Sequence, residues 1–325
     1  MNAAEDFATT SNWYRRFAEI EAPGRSALFE DWATGVAADD DILERLGELP
    51  RPKRQPNLLF ACARLLGCPL DRYPRWREWL IANWPQVRAE MLVRATQTNE
   101  PRRCAVLLPL LAQVEGPIAL LEVGASAGLC LYPDRYSYSY DGRRLDPVSG
   151  PSTVLLECET TGDPPIPDEL PEIVWRAGLD LNPLDVNNAD DTHWLQTLIW
   201  PEQHERLERI RAAIDIVRAD PPRIVRGDAI DDLPALVAEA PADASLVIVS
   251  SAAIVYLMPE PRARFIEYVR SLDATWISNE GAGIVPVAAA ALNGRESTIV
   301  GPLLLARNEV PKAFTGPHGD QLDWL

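Results

Sequence analysis

Residues 118–131 read Ile-Ala-Leu-Leu-Glu-Val-Gly-Ala-Ser-Ala-Gly-Leu-Cys-Leu. From Ile118 to Val123 the run is apolar except for Glu122, the pattern of a strand buried on both faces of a parallel sheet. Gly124 and Gly128 then bracket Ala125, Ser126 and Ala127, so the backbone can turn sharply and a neighbour can approach it closely. A helix is expected to start there, with free N–H groups facing whatever lies over the turn and Glu122 adding negative charge at the strand's carboxyl end. A pyrophosphate-binding turn would read G-x-G-x-x-G, whereas this one reads E-x-G-x-x-x-G. An acidic residue at that place suits a cationic ligand.

Composition bounds the rest. With 325 residues, 47% hydrophobic and 24% charged, the chain is globular and long enough for two domains. Asn2 to Thr10 carries Glu5 and Asp6 and has no apolar run, so no signal peptide is expected, and no stretch is long enough to span a membrane. The five cysteines, Cys62, Cys68, Cys104, Cys130 and Cys158, form no C-x-x-C pair, which fits a reducing cytoplasm. Three dispersed histidines predict no metal site.

A net charge of −17 argues against nucleic acid as a partner. Residues 1–116 hold 15 basic and 16 acidic side chains, which leaves 16 basic and 32 acidic from Pro117 onward. That shift, with Gly116-Pro117, marks a boundary between a domain over 1–116 and one over 117–325. The first domain reads as all helix. Trp13, Phe17 and Ile20, then Leu28, Trp32 and Val36, then Ile42, Leu46 and Leu49 recur at helical spacing, and the Asp39-Asp40-Asp41 cluster can cap a helix. Leu58 to Leu66, Val87 to Ala95 and Pro101 to Val114 continue the pattern. Between Arg51 and Arg103 basic residues interleave with Tyr73, Trp76, Trp79 and Trp84, a mixture that suits an anionic ligand but is better read as packing, since Trp76 and Trp79 stand three apart on one helix face.

Beyond the central turn, Arg135 to Tyr140 alternates as a strand with half-exposed tyrosines, and an insertion around 141–171 is expected to hold a hairpin near Val154 to Cys158 and a loose loop. Ile173 to Leu181 is the next buried strand. Asp180 stands where a doubly wound sheet places the acceptor for both ribose hydroxyls of an adenosine ligand, with Asp141 the weaker alternative. A helix over Asp190 to Ile216 with a break at Pro201, a short strand at Ile224-Val225, an amphipathic Ile230 to Ala240, strands at Leu246 to Val249 and Thr275 to Ser278, and a terminal antiparallel pair over Ser297 to Arg307 and Ala313 to Leu325 complete the pattern.

The E-x-G-x-x-x-G turn resembles the first motif of class I S-adenosylmethionine-dependent methyltransferases, Gly178-Leu179-Asp180-Leu181-Asn182-Pro183 resembles a variant of their second, and Gly227-Asp228-Ala229 resembles their third. With Gln55-Pro56-Asn57, Thr98-Asn99-Glu100, Ser278-Asn279-Glu280-Gly281 and Pro317-His318-Gly319, nearly the whole chain resembles a family of uncharacterised bacterial proteins with a methyltransferase-like domain. The resemblance implies an α/β fold with a Rossmann-like, class I methyltransferase-type doubly wound sheet preceded by an all-helical N-terminal domain. It implies S-adenosylmethionine as cofactor, contacted by Glu122, Gly124, Ala125, Ser126, Gly128, Asp180, Asp228, Ala229 and Ser250. Ser250 stands where that family's pattern has a histidine.

Ligands of open α/β sheets lie beyond the carboxyl ends of the strands. An acceptor is therefore expected to meet Ser250, Ser251, Tyr256, Asn279 and Glu280, with Glu280 as base, Asn279 orienting and His318 the alternative, under a roof formed by the helical domain. The Asn/Asp-Pro-Pro-aromatic signature of enzymes that methylate nucleic-acid bases is absent, so a small molecule or a protein is the expected acceptor. The competing expectation is a non-catalytic nucleoside-binding or interaction module on the same sheet.

Overall fold

The computed structural model describes residues 3–97 and 99–325, with 3–7 described through their backbone alone. Met1, Asn2 and Thr98, which fall within the Asn2–Thr10 and Thr98-Asn99-Glu100 readings, lie outside the described residues. The fold is mixed α/β, with helices first and one large sheet after them. Two compact units emerge, one of residues 1–98 with 189–208, the other of 99–188 with 209–325.

The first unit is helical. Ala27–Ala37 is capped by Ser26, which accepts the Phe29 N–H, and Asp40–Gly47 is capped by Asp39, which accepts that of Ile42. Pro56–Leu65, Tyr73–Ala82 and Trp84–Val93 each begin with proline in the first turn, where its missing N–H costs nothing. Trp76 is fully buried and stacks on Trp32 with ring centroids 4.7 Å apart, so the aromatic residues near it serve as core. The later helix Ala189–Thr197 belongs here too: Trp194 donates its indole N–H to the Ala95 carbonyl, and Trp200, after the helix, donates to Asn57.

The second unit is built on an eleven-stranded sheet. Its strands are β1 Ile118–Val123, β2 Ser137–Tyr140, β3 Arg143–Leu145, β4 Leu155–Thr161, β5 Ile173–Asp180, β6 Arg223–Arg226, β7 Ser245–Ser251, β8 Thr275–Gly281, β9 Leu303–Arg307, β10 Val310–Thr315 and β11 Gln321–Trp324. They lie in the order β3-β2-β4-β11-β10-β9-β8-β7-β1-β5-β6. Five of them, β6-β5-β1-β7-β8, are mutually parallel. Chain direction across the sheet reverses at β1, because the strand that follows it in this parallel group, β5, lies on one side and β7 on the other.

Several expectations are corrected here. No helix follows the glycine turn; Leu129–Leu131 makes one 3₁₀ turn, and Pro133, which lacks an N–H and restricts its predecessor, closes it. The tyrosines of β2 and the one just before it are buried, not half-exposed, because each hydroxyl reaches a carbonyl: Tyr136 to Leu129, Tyr138 to Pro133 and Tyr140 to Ala105, each at 2.6 Å. Leu155–Thr161 is no separate hairpin, since β4 runs parallel to β2 on one side and to β11 on the other. The only helix within 230–240 is Leu233–Val237. The terminal pair is three strands, with β9 and β10 joined by a tight turn in which both Asn308 and Glu309 have positive φ.

Candidate functional site at the carboxyl ends of the parallel strands

Glu122 on β1 pairs with Gly178 of β5 and Val249 of β7, which sets it at the reversal point of the sheet. Its side chain is buried, and burial, with the Cys130 thiol next in effect, pushes its carboxyl well above the usual range, against the pull of the Arg103 guanidinium. Glu122 Oε2 has no hydrogen-bond partner among the described residues.

The amides of Gly124, Ala125, Ser126, Gly128 and Leu129 are engaged within the protein, contrary to expectation. Gly124 and Ala125 donate to the Leu179 carbonyl at 2.8 and 3.3 Å, Gly128 to Ala125 at 2.7 Å, Ser126 to Asp180 Oδ2 at 2.8 Å, and Leu129 to Asn99 Oδ1 at 3.0 Å. Each glycine of the motif has a packing reason. A Cβ at Gly124 would stand 2.5 Å from the Ala253 Cβ, and one at Gly128 3.0 Å from Ile224 and from Pro222. Ser126 itself holds φ 53°, a conformation that non-glycine residues rarely adopt.

Asp180, at the end of β5, lies beside this turn and accepts N–H groups from Ser126 and, through Oδ1, from Asn182 at 2.8 Å. Asp228 follows β6 and accepts the Ile230 N–H at 2.7 Å, closing an Asx turn that half-buries Ala229. Asp141 is elsewhere. It follows β2, seven places from β1 in the sheet, accepts from the Thr160 N–H at 3.1 Å and lines a cleft of about 490 Å³ with Arg102, Glu157, Glu159 and Asp320.

On the other side of β1, the ends of β7 and β8 are buried and polar. Ser250 accepts the indole N–H of Trp276 at 3.2 Å, and Ser251 accepts from the Asn279 amide at 3.4 Å. Asn279 also accepts the Thr315 hydroxyl at 2.8 Å. Glu280 Oε1 accepts two backbone N–H groups from the loop after β7, Ala253 at 3.1 Å and Ile254 at 3.2 Å. Neighbouring residues on a strand face opposite ways, so Asn279 and Glu280 are aimed apart and are not brought onto one acceptor. Glu280 Oε2 is buried without a hydrogen-bond partner among the described residues. Burial raises this carboxyl to about 7, moderated by the two amides, Arg103 and Ser250.

Arg103 is the residue that sequence reasoning missed. Almost wholly buried at the head of helix Arg103–Leu111, it donates from Nη1 to the Ser251 carbonyl at 2.9 Å and from Nε to the Pro317 carbonyl at 3.0 Å. Its charge acts on both Glu122 and Glu280. One signal was available: Arg103 stands at the head of the unbroken apolar run Cys104 to Leu111, a place a cation occupies only when paired. His318 lies half-buried in the turn after β10, its carbonyl accepting from Arg102 Nε at 3.4 Å, and Arg103 ties that turn to the end of β7. Among the described residues no group of three or more His, Cys, Asp or Glu is placed to hold a metal ion, and no helix is long and apolar enough to cross a membrane.

Chemically, the arrangement offers carboxyl groups at or after the ends of β1, β5, β6 and β8, those of Glu122 and Glu280 raised by burial, with one buried cation among them. No curated protein and no solved structure matches the chain. The family model described as an uncharacterized protein conserved in bacteria (DUF2332) matches residues 11–324, and the chain belongs to that family.

Proposed function

We propose that this member of the family binds S-adenosylmethionine beyond the carboxyl ends of β1, β5 and β6 and transfers its methyl group to a small molecule or a protein. The observation that carries this reading is the placement of Glu122, Asp180 and Asp228 at or after the ends of three adjacent parallel strands, beside the reversal point where open α/β sheets take their ligands. On this reading the sheet is a methyltransferase-type doubly wound sheet enlarged by β2 to β4. The residues fit such a ligand in two respects. With the Gly124, Ala125, Ser126 and Gly128 amides engaged the turn offers little to a phosphate, and this nucleoside carries none; the unpartnered Glu122 Oε2 suits a cationic group.

The sulfonium supplies a methyl group activated for in-line displacement, so the chain's task is chiefly to hold the reactants in line. Asp180 can accept from ribose hydroxyls through lone pairs that Ser126 and Asn182 leave over, and Asp228 from the adenine amino group. Glu280, titrating near neutrality, is the group to take a proton from an acceptor that carries one. Titration calorimetry with S-adenosylmethionine and S-adenosylhomocysteine on protein freed of bound ligand tests this; absence of heat and of thermal shift with both at millimolar concentration overturns it.

A second reading, a nucleoside-binding module without chemistry, is favoured by one observation. Glu280 already spends one oxygen on the loop after β7, as a structural carboxylate does. Binding without methyl transfer to any acceptor would select it.

A further inference from the structure

The parallel strands β5, β1, β7 and β8 are neighbours and end on one edge of the second unit's sheet. The segments that leave them are joined in a continuous line. Glu280 at the end of β8 takes the N–H groups of Ala253 and Ile254 after β7, Ala253 stands against Gly124 after β1, Ser126 donates to Asp180 of β5, and Arg226 at the end of β6 donates to the Leu181 carbonyl at 3.2 Å. Along this line apolar side chains meet water. Leu181 after β5 is 66% exposed, Val255, Tyr256 and Met258 after β7 are 40%, 81% and 71% exposed, and Val287 in helix Pro286–Ala291 after β8 is 52% exposed. Between them the Gly124 backbone is bare and exposed. Apolar side chains gathered in this way on one edge mark a contact surface.

Charge on the same edge narrows the partner. Asp185 after β5, Asp231 after β6 and Glu260 in the first turn of helix Pro259–Arg270 are exposed. Arg226 and Arg262 instead turn onto carbonyl oxygens, Arg226 onto Leu181 and Asn182, Arg262 onto Ile254, Val255 and Leu257. The whole chain carries −17, so an anionic partner is repelled and a cationic one drawn in. Width decides between a small molecule and a protein. From the loop after β5 to the loop after β8 is three strand spacings, about 14 Å, which about four extended residues span and a single small ring does not. We propose that this edge docks a basic segment of another protein, extended across the strand ends with its apolar side chains among Leu181, Tyr256, Met258 and Val287, and that this segment carries the methyl acceptor. The inference rests on the preceding reading only for the methyl transfer that follows docking.

Fluorescence anisotropy on the full chain, with no nucleoside present, tests the docking separately from the calorimetry. The probe is a labelled heptapeptide of alternating lysine and leucine, which should bind and should weaken as salt is added. Its counterparts with serine for leucine, or with glutamate for lysine, should bind at least about tenfold more weakly. Tyr256→Ser combined with Met258→Ser, and Leu181→Ser alone, change exposed side chains and should each raise Kd at least about fivefold. Val310→Ser should leave Kd unchanged, because that exposed valine opens β10 on the opposite edge of the sheet. Absence of binding at millimolar peptide overturns the proposal, as does a Val310→Ser loss equal to that of the Tyr256 and Met258 pair. Sedimentation with phosphatidylcholine vesicles that Tyr256→Ser abolishes, while peptide binding is unaffected by it, overturns it too, since the surface would then be a membrane contact. Each of these results leaves the cofactor reading standing, and a failed calorimetric titration leaves the docking standing.

Discussion

Asp180 Oδ2 accepts the backbone N–H of Ser126 at 2.8 Å, which ties the end of β5 to the turn after β1. One carboxylate thus holds the strained Ser126 in place and offers its remaining lone pairs to a ligand.

Asp180→Ala should therefore act twice. Losing two N–H bonds to a charged acceptor is expected to lower stability by about 2–4 kcal/mol even without ligand, read by chemical denaturation. Nucleoside affinity should fall as well, whereas Asp141→Ala, after a strand seven places from β1, should leave calorimetric affinity unchanged. The opposite pair of results would refute the assignment of the ribose partner.

Arg103→Met should be among the most damaging single changes in the second unit. It leaves the Ser251 and Pro317 carbonyls without their donor and removes the buried cation that offsets Glu122 and Glu280. A loss of about 3–5 kcal/mol is expected in urea melts. Arg103→Lys keeps the charge without the fork and should recover only part of it.

The pH dependence of stability carries a sign. Burial holds the Glu280 carboxyl near 7 in the folded chain against an ordinary value of 4.5. Between these values the unfolded chain has released this proton and the folded one has kept it, so this residue's contribution is fully present below the lower value and is lost as pH rises through the upper one. Stability of the parental protein relative to Glu280→Gln should accordingly fall by at most about 3 kcal/mol from acid to slightly alkaline pH. A difference that stays flat across that window, measured by denaturation at fixed ionic strength, would contradict the burial.

Gly178 tests whether the second motif is spelled for packing. A Cβ there would lie 2.5 Å from the Ala125 Cβ, and no positive φ requires glycine at this position. Gly178→Ala should cost about 1–3 kcal/mol by overpacking. Combining it with Ala125→Gly should cost less than the two single losses added together, as a double-mutant cycle would record.

Much of the core was legible in the sequence. Ile118–Val123 forms a strand buried along its whole length, as its near-unbroken apolar run predicts, and the second, fourth and fifth parallel strands are shorter or longer than expected by a few residues at their ends. The part that was not legible depends on distant partners. Tyr136, Tyr138 and Tyr140 alternate with serines, and nothing local says which face is wet; carbonyls at Leu129, Pro133 and Ala105 decide it. The missing helix after Gly128 depends on Asn99 taking the Leu129 N–H and on Pro133. Arg103 reads as one more basic residue until the fold brings two carbonyls to it.

The pairing of β11 with β4 has a consequence for how the chain is made. In the sheet order, β11 alone joins β3-β2-β4 to the other strands, yet of these eleven strands it is made last. Until Gln321 to Trp324 arrive, β4 presents a row of unpaired backbone groups, an invitation to pair with another nascent chain. Its exposed Glu157 and Glu159 would face their own copies in any parallel in-register pairing, and that repulsion keeps the edge solitary while it waits.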